Sequence, residues 1–133
     1  MSSLAPLRLR ALTRILQANR GWQLLLALLV GVVCYLAFTP TPPQLATAWW
    51  DKANHSLAFL ALTFTACLAF PRPGRGVWLV IVGLLAFGAG IEVVQAFVPG
   101  RSCEWADLLA DSVGIAAGVL VTLPLRSAVT SRR

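Results

Sequence analysis

From Val77 to Val98 the chain is apolar apart from one carboxylate, Glu92, and one amide, Gln95. Before it stands the breaker Pro71-Arg72-Pro73-Gly74-Arg75-Gly76, and after it Pro99-Gly100. About 20 residues of this kind cross a hydrocarbon core roughly 30 Å thick as a helix. Lipid offers no partner for open backbone groups, so a helix is the conformation such a run can keep there. Composition excludes the soluble alternative. The 133 residues are 58% hydrophobic and 12% charged, against about 45–50% and about 25% in soluble domains. A chain this short cannot hide so much apolar surface in a water-soluble core.

Three further runs complete the pattern. Trp22 to Phe38, extended by Gly21 and Thr39, is ended by Pro40, Pro42 and Pro43. The second runs from about His55 to Phe70, with its helix expected to begin near Trp49 or Asp51 in the interface. The fourth runs from about Ala106 to Leu123, with Pro124 expected to end it. The expected fold is therefore all-α, a polytopic four-helix transmembrane bundle in a single domain over residues 21–126. Its spans lie at about 21–39, 53–70, 77–98 and 106–123, with a cytoplasmic tail at 127–133. In residues 1–20, Leu9, Leu12 and Leu16 share one helical face among arginines. They suit either a short interfacial helix or a basic tail. Ala46-Thr47-Ala48 resembles a signal-peptide cleavage site, but it lies well beyond the end of an apolar run that is itself too long for one.

Charge placement sets the orientation. Of eleven Lys and Arg, only Lys52 and Arg101 fall in the loops after the first and third spans; the others flank the tails and the 71–76 loop. The positive-inside rule then puts both termini on the cytoplasmic side of the membrane, and the 39–54 and 99–105 loops outside. Trp49, Trp50 and Trp105 at the outer ends, and Trp22 and Trp78 at the inner ends, match aromatic belts. The net charge of +6 is thus a membrane-orientation signal, and no nucleic-acid partner is expected. The three cysteines, Cys34, Cys67 and Cys103, have no CxxC or metal-ligand spacing, and only Cys103 is placed where it could react.

With that orientation, all five acids and the single histidine gather at the outer side. Asp51 and His55 sit one turn apart on the second helix, and Asp107 and Asp111 one turn apart on the fourth. The dipole at the start of the fourth helix favours anions. Glu92 lies roughly 10 Å below the expected end of the third span, too deep to face lipid. Asp107, Asp111, Gly114 and Gly118 form one stripe that must face the bundle, since glycines permit close helix contact. Gly88, Glu92 and Gln95 form the equivalent stripe on the third helix.

Glu92, His55 and Asp107 are the candidate catalytic residues, as acid, base or proton carrier. Asp51, Lys52, Gln95, Arg101 and Asp111 are candidate binding residues, with Lys52 or Arg101 suited to an anionic group. Gly114 and Gly118 are helix-packing residues. His55 with carboxylates could hold a metal, but one histidine and no spacing signature make that signal weak, so no metal site is assigned and the cofactor is unknown. From the residues alone, a purely structural hydrogen-bond network remains open beside a binding or catalytic site.

Asp51-Lys52-x-x-His55, then Glu92-x-x-Gln95-x-x-x-Pro99-Gly100-Arg101, then Asp107-Leu108-x-x-x-x-x-Gly114-x-x-x-Gly118 resemble the VanZ-like family of small bacterial membrane proteins. The family takes its name from an accessory protein of glycopeptide resistance. The resemblance spans roughly residues 30–123 and implies that Asp51, Lys52, His55, Glu92, Gln95, Arg101 and Asp107 belong to a shared polar set. The family commonly has Asn where this chain has Asp111, so this site carries an added carboxylate. Two functions fit. One is binding or modifying a cell-envelope component, a lipid head group or an anionic cell-wall precursor. The other is a non-catalytic membrane module whose outer loops dock a partner membrane protein.

Overall fold

The computed structural model describes residues 19–40, 48–71 and 74–130. It forms four helices: α1 (Asn19–Phe38), α2 (Ala48–Ala69), α3 (Arg75–Gln95) and α4 (Trp105–Thr130). The all-α bundle expected from the apolar runs is the architecture observed. The interfacial helix considered for residues 1–20 lies outside the described residues, except that Asn19 and Arg20 open α1.

Three helices are long and apolar enough to cross a membrane: α1, α3 and the Trp105–Leu125 part of α4. The exception, α2, is the helix at the centre. It packs against all three others and buries Phe59, Leu62, Thr63, Ala66 and Cys67. A helix walled in by protein does not need a lipid-compatible surface, so α2 can carry Asp51, Lys52, Asn54 and His55 in its first turns. Its buried threonines bond to their own helix: Thr63 Oγ1 donates to the Phe59 carbonyl at 2.7 Å, and Thr65 Oγ1 to that of Ala61 at 2.7 Å. By contrast, α1 has no buried residue and lies on the outside of the bundle. The core cluster is Phe59, Leu62, Leu84, Ile91 and Ile115, with α1 residues such as Leu29 and Val33 packed over it.

The closest helix pair is α2 with α4. Side-chain bonds join Lys52 to Asp107, His55 to Asp111 and Ser56 to Ala110, at separations of 55, 56 and 54 residues. A near-constant offset means that the two helices run parallel and in register. Glycine makes the contact possible. A Cβ on Gly114 would collide with the Ser56 carbonyl and the Leu60 nitrogen, and one on Gly118 with Thr63 Cβ at 2.6 Å and the Leu60 carbonyl at 2.9 Å. The inward stripe expected on α4 is therefore the seam of the molecule.

Two helix ends differ from expectation. Pro124 does not stop α4, which continues to Thr130, so the tail expected from residue 127 is helical that far. A proline removes one ladder bond, but in an apolar medium leaving the helix would expose several carbonyls at once. Conversely, α3 ends at Gln95 rather than Val98. Phe97 N bonds to the Val94 carbonyl at 2.9 Å and Val98 N to that of Gln95 at 3.0 Å, the tighter i→i−3 pattern. Pro99 disfavours helix at Val98. Arg101 N then closes a turn onto the Val98 carbonyl at 3.1 Å, with Gly100 at φ 80°. Proline followed by a positive-φ glycine is the signature of a type II turn.

Candidate functional site

The helix ends place every acid of the chain at one end of the bundle. There α2 and α4 begin, α3 finishes, and the 96–104 loop folds across. The two helix N-termini present partial positive charge, which stabilises carboxylates nearby.

At the rim, Lys52 Nζ bridges Glu104 Oε2 at 3.0 Å and Asp107 Oδ1 at 3.2 Å. Exposure falls steeply across this group, from 49% for the Glu104 side chain and 31% for Lys52 to 6% for Asp107. The Lys52 ammonium and the Ser102 hydroxyl hold the Glu104 carboxyl below its ordinary range. One layer deeper, His55 Nδ1 lies 3.0 Å from Asp111 Oδ1, and Asp111 is 1% exposed. Asp111 Oδ2 rests against Gly88 of α3, where a Cβ would approach it to 2.6 Å. Beside this pair, Ser56 Oγ donates to the Ala110 carbonyl at 2.8 Å.

Glu92 is 5% exposed, but depth is not the reason. Because α3 stops at Gln95, Glu92 lies in the last turn, and the loop roofs it: Glu104 N donates to Glu92 Oε2 at 2.9 Å. Its other oxygen, Oε1, is buried and has no hydrogen-bond partner among the described residues, with the Cys103 thiol lying against the same carboxylate. The carboxylate lies within electrostatic reach of Asp107, His55 and Asp111. Cys103 is exposed beside Glu92; partial desolvation, then the Glu92 charge and a hydrogen bond to its carboxylate, raise its thiol above the ordinary value.

Asp51, His55 and Asp107 each bring a candidate ligand atom within 4.8 Å of the others. Glu92, His55, Asp107, Asp51, Lys52 and Asp111 are thus gathered in one cluster. Gln95 and Arg101 stand apart from it. Gln95 Nε2 donates to the Ala37 carbonyl at 3.1 Å, and the Arg101 guanidinium donates to the carbonyls of Thr39 and Leu36. Both therefore cap the C-terminal end of α1, whose last carbonyls have no helical partners. Ser56 and Glu104 are members that spacing does not single out. Glu104 did carry a signal, being the acid directly before the fourth helix, where its carbonyl accepts the Asp107 N–H at 3.0 Å.

An apolar groove of about 520 Å³ lies between α1, α2 and α3 toward the opposite end, lined by Leu26, Val30, Ala66, Leu79, Val80 and Gly83 among others. It contains none of the polar residues.

No curated protein and no solved structure matches the chain. The VanZ/LLP1 family model matches residues 9–126. With four packed helices, three of them long and apolar enough to cross a membrane, and a buried polar cluster at one end, the chain is a multi-pass membrane protein and belongs to the VanZ/LLP1 family.

Proposed function

We propose that the polar end of the bundle faces the extracytoplasmic side of a bacterial inner membrane and binds or modifies the head group of a cell-envelope component, a lipid or a lipid-linked cell-wall precursor. The orientation rests on the bases: only Lys52 and Arg101 share this end with the acids, and both termini then lie in the cytoplasm. A reporter fused near Arg101 should read as extracytoplasmic, and reporters near Gly74 and Arg133 as cytoplasmic. A cytoplasmic reading near Arg101 would remove the proposal.

One observation carries the functional reading over a structural one: Oε1 of buried Glu92 has no hydrogen-bond partner among the described residues. A network retained only for stability is expected to be fully paired, because an unpaired buried polar atom costs about 1–3 kcal/mol. Here a carboxylate is left with free acceptor capacity beside the His55–Asp111 pair, an arrangement suited to receiving or releasing a proton. In this reading Glu92 and His55 exchange protons with the bound group, Asp107 helps fix it, and Asp111 orients the His55 ring. Membrane lipids are the surrounding partners. Docking of another membrane protein on the outer loops is the alternative, favoured by the Lys52 and His55 bonds that join α2 to α4.

Complementation separates the two readings. E92Q, H55Q and D107N keep volume and hydrogen-bonding capacity but remove the ionisable groups. Each should accumulate in the membrane at normal abundance and yet fail to restore envelope-stress tolerance to a deletion strain. Lost acid–base catalysis would be worth roughly 10²–10⁴-fold in rate. Full complementation by all three well-expressed variants would leave the docking role.

A further inference from the structure

All five acids of the chain lie at one end of the bundle, accompanied there, among the described residues, by two bases, Lys52 and Arg101. Both bases are already engaged. Arg101 is turned to the carbonyls of α1, and Lys52 is held between Glu104 and Asp107. Among the described residues this end thus has more carboxyl groups than bases, and both bases are engaged.

We infer that Asp51, His55 and Asp107 form a site for a divalent transition-metal cation of the zinc or manganese type. Their ligand atoms converge within 4.8 Å from the first turns of two parallel helices. Ligands at 2.0–2.2 Å around one ion sit about 3–3.5 Å apart, so the widest pair needs to close by roughly 1–2 Å, within reach of side-chain rotations. The ring of His55 is already oriented for the task. Its Nδ1 is bonded to Asp111 Oδ1 at 3.0 Å, leaving Nε2 as the ligating nitrogen. A carboxylate behind a ligating imidazole is the usual second partner of a metal-bound histidine, fixing its tautomer and raising its basicity. Glu92 adds an independent observation: its side chain is buried, Oε1 has no hydrogen-bond partner among the described residues, and the group lies within electrostatic reach of His55 and Asp107. One imidazole with hard oxygen donors suits zinc or manganese better than calcium or magnesium.

Lys52 does not block the site. Its ammonium is partly exposed and also bonded to Glu104, so it can release Asp107 while keeping its rim partner. The inference deepens the proposed function and rests on it in one respect: with the cation bound, His55 holds the ion and proton exchange falls to Glu92, while the cation supplies the positive charge that would hold an anionic head group.

The test uses the full chain, purified in detergent and stripped with chelator. Titration with Mn²⁺, read by loss of the free-ion electron paramagnetic resonance signal, should show one saturable site per chain, and Zn²⁺ should compete for it. H55Q and D51N should each weaken binding by at least about 100-fold, and D111N by about 10–100-fold as the orienting partner. Asp51 makes no hydrogen bond among the described residues, so D51N tests the site without loosening the α2–α4 seam. Absence of saturable binding by either ion would overturn the inference, as would unchanged binding in H55Q and D51N of normal melting temperature. The two proposals fail separately. If no metal binds while E92Q and D107N still fail to complement, the metal site falls and the acid–base site stands. If metal binds while all the isosteric variants complement, the reverse holds.

Discussion

At the end where α2 and α4 begin, neighbouring helices are tied by directional bonds. Lys52 and His55 reach across to α4, Ser56 binds the Ala110 carbonyl, and Gln95 and Arg101 hold the last carbonyls of α1. At the other end, where α2 finishes and α3 starts, the contacts are of a different kind. Gln23 Nε2 reaches the Ala69 carbonyl at 3.4 Å, Trp22 meets Phe64 edge-on with ring centroids 5.9 Å apart, and an apolar groove runs alongside. The difference follows from the solvent. Apolar side chains gain little by touching each other rather than lipid, so a membrane bundle obtains its specific arrangement from close backbone packing and polar bonds. The polar end fixes which residue faces which. The apolar end can leave a groove at little cost, because lipid rather than water surrounds it.

The largest effect is expected where these two regimes meet, at the glycine seam. At Gly114 a methyl group would strike the Ser56 carbonyl and the Leu60 nitrogen, and backbone cannot swing aside. G114A must push α2 away from α4, and with it His55 from Asp111. Overpacking of this kind costs about 1–3 kcal/mol and occasionally more; G114L should abolish the folded fraction in detergent. Gly83, in the apolar half, has nothing within 4 Å of its would-be Cβ. G83A should be neutral or raise stability slightly, because alanine favours a helix over glycine by up to about 1 kcal/mol. Melting of the purified variants measures both. Equal effects at the two glycines would erase the distinction between a specified seam and a lipid-facing half.

The same contrast governs what could be read from the sequence. Breaks at Pro40, Pro71-to-Gly76 and Pro99-Gly100 marked the helices, and the glycine spacing marked the inward face of α4, because these are properties of one segment at a time. The gathering of acids at one end followed from the alternation of spans. The pairings did not follow. Which base meets which acid depends on the register of α2 against α4, set by the contact of Gly114 with Ser56, and periodicity within either helix does not contain that register. The contacts of Arg101 and Gln95 with α1 were not legible for a related reason. Their targets are backbone carbonyls of α1, which are the same whatever its side chains are. Glu92 was expected to be buried by depth, whereas a loop buries it, because Pro99 ends α3 earlier than hydropathy suggests.

The smallest effect concerns the most exposed tie of the polar end, Lys52 with Glu104. The ammonium holds the Glu104 carboxyl below its ordinary 4.5, with help from the Ser102 hydroxyl. A carboxylate whose pKa is lower folded than unfolded stabilises the fold above its unfolded value and loses that contribution as pH falls through the folded one. Wild-type protein should therefore melt slightly higher than E104Q near neutral pH. The gap should shrink below about pH 4.5 and vanish in stronger acid. Added salt should narrow it at any pH, since screening weakens an exposed pair. Lys52 keeps Asp107 as a partner in E104Q, so the melts differ by this one bond and not by collapse of the site. A gap that stays constant from pH 7 to pH 3 would mean that it does not come from the Glu104 charge, and that the rim of the polar end is held by shape, as the apolar end is.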